Sequence, residues 1–193
     1  MAYDSDGIRD YADGVPVYCC FDKIVKLQDL KPNPKNPNKH PDEQIGKLAK
    51  VIKGNGWRNP ITVSKLSGLI VKGHGRLLAA QKLRLKEVPV EYQEYESDAA
   101  ELADLMADNR IAELSKNDKR KLLNLFEEYD TGEVDFELSG YEENEYKNLA
   151  HQFDEFSFKG VNGKEEEGEE VGSVKAPTSK IIYCPNCGEE IEV

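Results

Sequence analysis

The residues best suited to chemistry lie in one turn. Gly73-His74-Gly75-Arg76 sits between an apolar run and a helix-like stretch in IVKGHGRLLAAQKLRLKEVPV, residues 70–90. A helix start offers several backbone N–H groups without partners and the positive end of a macrodipole, so it favours an anion. Gly73 and Gly75 would let the backbone approach a phosphate with no Cβ in the way. Arg76 adds a forked cation suited to paired contacts with phosphate oxygens. His74 could donate to a phosphate or serve as a general base near neutral pH. The stretch is neither a Walker loop nor a dinucleotide fingerprint, because Leu78 stands where a third glycine belongs and no Gly-Lys-Ser/Thr follows. The same four residues would equally build an ordinary tight turn.

A second chemical group is Cys184-Pro-Asn-Cys187-Gly188, a zinc-knuckle sequence of two thiolates on a turn. Structural Zn2+ takes four ligands, and this half supplies two. The other pair would come from a second subunit, from Cys19 and Cys20, or from histidine. A site shared by two chains, and hence a homodimer, is the expectation, with an inert knuckle as the alternative. The adjacent Cys19 and Cys20 are poorly spaced to chelate one ion and are expected on opposite faces of a strand. Four cysteines in this arrangement are no secreted disulfide framework.

The elements that must position the turn can be read from pattern. VPVYCCFDKIVKL (15–27) has the β-rich look of a strand and a short connection. KPNPKNPNKHP (31–41) holds four prolines and excludes regular structure. Ile45, Leu48, Ala49 and Ile52 then fall on one helical face, with Pro41 suited to the start and Gly54 or Gly56 to the stop. ITVS (61–64) and LIVK (69–72) predict a hairpin, residues 75–85 a helix, and VPVEY (88–92) a strand. A helix over 97–113 starts at Ser97 as N-cap, with Asp98 in its first turn. Two more helices are expected near 117–129 and 142–153. The predicted organisation is an acidic arm (1–16), an α/β domain with a small mixed sheet (17–115), a helical extension (116–158), an acidic Gly/Glu linker (159–179) and a half zinc-ribbon tail (180–193).

Charge is unevenly spread. The chain carries a net charge of −11, yet residues 23–86 hold 15 Lys and Arg against 3 Asp and Glu, a net of +12. Exposed charges are felt over only about 8 Å at physiological salt, so such a block can attract phosphate or nucleic acid on an acidic protein. A basic surface facing an acidic one within the fold would explain it as well. The run Glu165–Glu170 is most simply a solvated linker; its sharper role is a competitor that covers the basic block when no nucleic acid is bound. No run approaches the roughly 20 apolar residues of a membrane span. The acidic start MAYDSDGIRD lacks a secretory pattern, so the cytoplasm is the expected compartment.

The order of several blocks carries a resemblance over roughly residues 15–150. LKPNPKNPNKHPDEQIGKLAKVIKGNGWRNPITV, the strand-GHGR-helix unit, KEVPV and LADNRIAELS are similar in sequence and order to the ParB/sulfiredoxin superfamily. In particular they resemble the ParB-like domains of phages and mobile elements, often fused to or encoded beside DNA methyltransferases. DFELSGYEENEYKNL resembles the segment that follows the domain in that subgroup. The resemblance implies a nucleotide-phosphate site at the turn, taking CTP or ATP with Mg2+. Partition ParB proteins have Gly-Glu-Arg-Arg there and bind and hydrolyse CTP. Sulfiredoxins have Gly-Cys-His-Arg, and a related ADP-dependent serine kinase has Gly-His-His-Arg. His74 stands where sulfiredoxin chemistry needs cysteine, which excludes that activity, and the partition glutamate is also missing.

ADNRIAEL (107–114) resembles the family's third motif, where an acidic residue and an asparagine contact a nucleotide or its metal. The resemblance assigns Asp108 and Asn109 to that role, with Arg110 beside them; Ala112 departs from the arginine of partition members. NPKNPNKHP matches the first motif, which lies over the nucleotide in relatives. Asn36, Asn38, Lys39 and His40 are therefore candidate base or phosphate contacts, although helix capping and turn building would explain both groups of residues.

The expected function is that of a phage or mobile-element accessory protein that binds a nucleotide at Gly73–Arg76 and acts with DNA. A slow NTPase activity would use His74 or Asp108 as the catalytic group. One alternative is a non-catalytic adaptor recruiting a DNA methyltransferase or another DNA-processing protein. Another is a metal-dependent nuclease or small-molecule phosphotransferase, although residues 23–86 provide few acidic metal ligands. No methyltransferase motif occurs in the chain, so it cannot methylate alone.

Overall fold

The computed structural model describes residues 7–129, 135–159, 181–183 and 190–192. The chain divides into two units, residues 1–156 and 157–193. The first is an α/β fold followed by a helical extension.

The described residues begin with a hairpin, β1 (Asp10–Ala12) against β2 (Val15–Val17), in place of the acidic arm expected over this part of 1–16. The turn is Asp13-Gly14, both at positive φ (49° and 82°), the backbone that a two-residue hairpin with right-handed strand twist requires. Ala12 and Val17 are fully buried, so the hairpin belongs to the core. The acidic composition hid a signal that the Asp-Gly pair carried.

A four-stranded mixed sheet follows, ordered β3 (Lys23–Lys26), β6 (Glu87–Gln93), β4 (Ile61–Ser64), β5 (Ile70–Lys72). β6 runs antiparallel to β3 and parallel to β4, and β5 returns antiparallel to β4. The parallel pair needs a crossover, which α2 (His74–Lys82) supplies. Pro89 sits in the central strand opposite Ile24. The ladder is carried around it by Asp22 N–H to the Val90 carbonyl and Leu27 N–H to the Lys86 carbonyl, both 2.8 Å. A proline fits a central strand where its missing donor is not called upon.

α1 (Asp42–Asn55) packs its predicted face inward, with Ile45, Ala49 and Ile52 buried among Trp57, Ile61, Ile70, Val88 and Val90. Gly56 stops it at φ 72°, where a Cβ would meet the Pro16 carbonyl oxygen at 2.6 Å. α3 (Asp98–Leu114) starts at Ser97, whose side chain accepts from Ala100 N–H. Leu105 and Glu101 face the interior; the Glu101 carboxylate accepts from the Ser64 and Ser67 hydroxyls at 2.6 and 2.7 Å, which fixes the helix to the β4–β5 hairpin.

The extension builds a smaller core from α4 (Lys119–Tyr129), a 3-10 turn (Phe136–Ser139) and α5 (Glu143–Lys159). Leu123, Phe126 and Leu149 are its buried centre. Phe126 meets the rings of Phe136, Tyr141 and Tyr146 edge-on at 4.9–5.7 Å between centroids. In the second unit β7 (Ile181–Tyr183) pairs antiparallel with β8 (Glu190–Glu192). Cys184, Cys187 and the acidic linker lie outside the described residues. Among the described residues no helix is long and apolar enough to cross a membrane.

Candidate functional site

β5 ends at Lys72 and α2 begins at His74, so Gly73 alone turns the chain. Its φ of 93° and ψ of 25° are left-handed, a conformation glycine adopts at little steric cost. A Cβ there would fall 2.7 Å from Nη1 of Arg76 and 3.4 Å from the Cα of Ile61. Arg76 thus folds back beneath the turn, and its Nη1 donates to the Pro60 carbonyl at 2.6 Å. Gly75 is buried, and a Cβ there would touch Leu48 and the His40 ring at 3.4–3.5 Å. The open sides of both glycines therefore face protein. This corrects the expectation that they clear a path for phosphate: Gly73 supplies a backbone conformation and room for Arg76, and Gly75 lets α2 lie close to His40 and α1. What the turn offers an anion is the helix start itself. No side chain caps α2, and its first ladder bond runs from Leu77 N–H to the Gly73 carbonyl. The N–H groups of His74, Gly75 and Arg76 precede that ladder.

His74 is half-buried and fixes the proline-rich loop to the turn. Its Nε2 accepts the backbone N–H of Asn33 at 3.2 Å, so the ring proton is on Nδ1. Burial, and secondarily the neighbouring His40, push its pKa below the ordinary histidine value, which keeps the ring neutral at pH 7. With its one lone pair engaged, His74 is poorly placed as a general base; Nδ1–H remains a donor. That corrects the catalytic expectation for this residue.

The loop is built from asparagines. The Asn33 side chain accepts from Lys35 N–H at 3.0 Å, and its carbonyl accepts from Asn36 N–H at 3.1 Å. Asn36 Oδ1 accepts from Asn38 N–H and from Asn109 Nδ2, both at 3.3 Å. His40 Nδ1 lies 3.0 Å from Gln44 Oε1 at the start of α1. Asn33, only 6% exposed, opens the NPKNPNKHP stretch but is not among the contacts that the motif assigns; its own signal is the repeated Asn-Pro pair.

α3 brings Asn109 to the loop and Asp108 toward Arg76. Burial lowers the Arg76 pKa, and the Asp108 carboxylate raises it again; the guanidinium stays charged in any case. Cys19 is within the electrostatic reach of the same guanidinium. Burial raises its thiol pKa, against the pull of its own backbone hydrogen bond and of Arg76 and Arg9. Cys20 beside it is exposed. Arg110 does not join the site: it pairs with Glu113 at 3.1 Å on the exposed side of α3. The motif spacing suggested otherwise, but one residue on a helix is a turn of about 100°. Among the described residues no three His, Cys, Asp or Glu side chains gather as a metal cluster. A groove of about 680 Å³, lined by Asp13, Lys26, Gln28, Gln81, Lys86 and Glu87, lies at the other end of α2.

Residues 20–110 match the ParB N-terminal domain. The chain is 43% identical over 70 residues to the ParB-like nuclease domain-containing protein YnaK of Escherichia coli K12, covering 35% of this chain and 79% of that protein. It is also similar to the C-terminally truncated chromosome-partitioning protein ParB of Caulobacter crescentus. The structure of that protein with CTP-gamma-S matches at 25% identity and a TM-score of 0.46, over 54% of this chain and 60% of that one. Its structure with the centromeric parS site matches at 20% identity and a TM-score of 0.40, over 66% and 70%.

Proposed function

The chain belongs to the ParB N-terminal domain family, and from that premise we propose that the Gly73–Arg76 turn holds the phosphates of a nucleotide while the basic part of the fold contacts DNA. One observation carries the nucleotide site: three segments distant in sequence converge on the uncapped start of α2. Asn33 N–H reaches His74, Asn109 reaches Asn36, and Arg76 lies under Gly73 in the field of Asp108. The first-turn N–H groups, Nδ1–H of His74 and the remaining N–H groups of Arg76 form a donor set for phosphate oxygens. The Asn36–Asn109 pair forms an adjoining polar wall. CTP and ATP are the nucleotides to which the family resemblance points. Mg2+ would be held by phosphate oxygens together with Asp108, since this ion commonly takes one or two carboxylates and the substrate's phosphates. Hydrolysis, where it occurs, would be slow and would place water beside Asp108. The accessory role in a phage or mobile element, beside a DNA methyltransferase, follows from the subgroup resemblance and belongs to the same proposal.

The DNA contact is supported by the net charge of +12 over residues 23–86. Such contacts act on the phosphate backbone and weaken steeply with salt.

Isothermal titration of the full chain with CTP, ATP, ADP and GTP, each with Mg2+, tests the nucleotide site. Saturable binding of one nucleotide, lost in Arg76→Ala and weakened in Asn109→Ala, is the expected result. Asn109→Ala guards against the case in which Arg76→Ala, which frees the Pro60 carbonyl, merely unfolds the turn. Absence of binding to all four would overturn the nucleotide function and favour the adaptor.

A further inference from the structure

The basic block does not present all its lysines to solvent. Lys65 pairs with Glu94 and Lys72 with Asp104. On α1 the pairing is denser. Lys47 Nζ lies 3.0 Å from Glu145, 3.4 Å from Glu142 and 3.4 Å from Glu43. Lys50 Nζ lies 3.0 Å from Asp135 and also pairs with Glu137. Four of these five carboxylates come from the extension, between residues 135 and 145. The same segment also packs on α1: Leu138 lies on Gly54, where a Cβ would overlap its methyl groups, and its carbonyl accepts from Asn55 Nδ2 at 3.1 Å.

We propose that Lys47 and Lys50 form a docking surface for a nucleic-acid backbone, which the carboxylates of Asp135, Glu137, Glu142 and Glu145 cover in this structure as stand-ins for phosphates. The proposal rests on the DNA contact given above and assigns it a place and a control. Two lysines one helical turn apart, each meeting more than one anion, are arranged as for successive phosphates rather than for one structural partner. The cover is reversible by construction. The carboxylates are about half exposed, exposed pairs are individually weak, and salt screens them. Removing it would return two positive charges to a surface that is already basic. Because α1 also places Leu48 against Gly75, the covered surface and the phosphate turn share one helix.

The test measures binding of the full chain to a short labelled DNA duplex by fluorescence anisotropy, from about 50 to 200 mM salt. Two variants uncover the lysines by different routes. Asp135→Asn/Glu137→Gln/Glu142→Gln/Glu145→Gln removes the anions. Gly54→Gln leaves every charge in place, suits a helix better than glycine, and displaces Leu138. Both are expected to bind more tightly at low salt. Two freed lysines steepen the dependence of log affinity on log salt by about 1.8, so affinity falls about tenfold more than wild type across that salt range. Adding Lys47→Gln/Lys50→Gln should cancel the gain, and Glu127→Gln/Glu128→Gln, exposed and away from α1, should not reproduce it. If wild type binds and the uncovered variants keep its affinity and slope, the lysines are structural and this proposal fails while DNA contact stands. A gain that survives loss of the lysines, or one seen equally in the Glu127/Glu128 control, overturns it as a general charge effect. No binding by any form overturns both. Should Gly54→Gln fail to fold, the four-amide variant decides alone.

Discussion

The Gly73–Arg76 turn and the contact between α1 and the extension are both polar, and they are built in opposite ways. At the turn the partners are neutral: a backbone N–H on an imidazole, one amide on another, and asparagine side chains closing short loops. Arg76 is its one largely buried charge, and its Nη1 is held by a carbonyl. Along α1 the partners are partly exposed ammonium groups and half-exposed carboxylates. Neutral hydrogen bonds at partly buried positions are indifferent to salt and costly to leave unmade. Exposed ion pairs exchange readily for other ions. The first design suits a site that must keep its shape to recognise a small anion. The second suits a surface that must change partners.

The largest effect should come from the extension's own core. Phe126→Ala removes the ring on which Phe136, Tyr141 and Tyr146 converge, and a buried Phe→Ala change costs about 3–5 kcal/mol. A core of three buried residues has little reserve. Hydrogen exchange should show α4 and α5 losing protection while β4, β6 and α2 keep theirs, because the main core around Trp57 and Ile61 is separate. Loss of protection throughout would mean that the two regions fold as one cooperative unit, and the contrast between a fixed site and a movable cover would not hold.

A smaller and more local effect is expected at Gly73. Alanine at φ 93° costs about 1–2 kcal/mol for the left-handed backbone alone, and its methyl would crowd Arg76 Nη1 at 2.7 Å. Gly73→Ala should therefore lower Tm modestly and abolish nucleotide binding. Gly75→Ala, whose methyl meets Leu48 and His40 at ordinary contact distance, should change both little. Equal losses in the two variants would show that the turn binds through open backbone at both glycines, contrary to the packing.

How far the sequence disclosed this depends on the range of each interaction. Elements held by local periodicity were legible: the α1 face, Ser97 as a cap, the β4–β5 hairpin and the mixed α/β class all appear as expected. The turn was legible as a turn because glycine, histidine and arginine are informative types. Its inner workings were not. The Asn33–His74 bond spans 41 residues, and no local pattern announces a backbone donor aimed at an imidazole. The sequence offers the glycines as open backbone facing a ligand, whereas the space they leave is filled by Arg76, Leu48 and His40. The family motif assigns Arg110 beside Asn109, whereas on α3 its side chain turns away to Glu113. The basic block was visible as composition, but the carboxylates that cover part of it come from residues 135–145, more than 80 positions away.

The finest contrast is in pH. His74 has a folded pKa below the ordinary 6.5, chiefly through burial. Above pH 6.5 folded and unfolded chains are both neutral there, and the contribution is complete. As pH falls below 6.5 the unfolded chain takes up a proton that the folded one resists, so stability declines, and protonation of Nε2 would end the Asn33 bond. The extension's carboxylates that pair with α1 behave in the same sense in a lower window. Asp135 is held below its ordinary 3.8 by the hydrogen bond from Lys50, and Glu145 below its ordinary 4.5 by Glu142 N–H and then by Lys47. Their contribution is complete above those ordinary values and is lost only as pH falls through the depressed ones. Acidification should therefore loosen the loop first, while the cover on α1 still holds. Protection factors, which divide out the acid slowing of intrinsic exchange, should fall at Asn33 and Asn36 from about pH 6.5 downward, and in the 3-10 turn at 136–139 only below about pH 4.5. His74→Gln should erase the first change and leave the second. One shared transition in the wild type would mean that loop and cover open together through α1, and the helix would then couple the two sites rather than merely carry both.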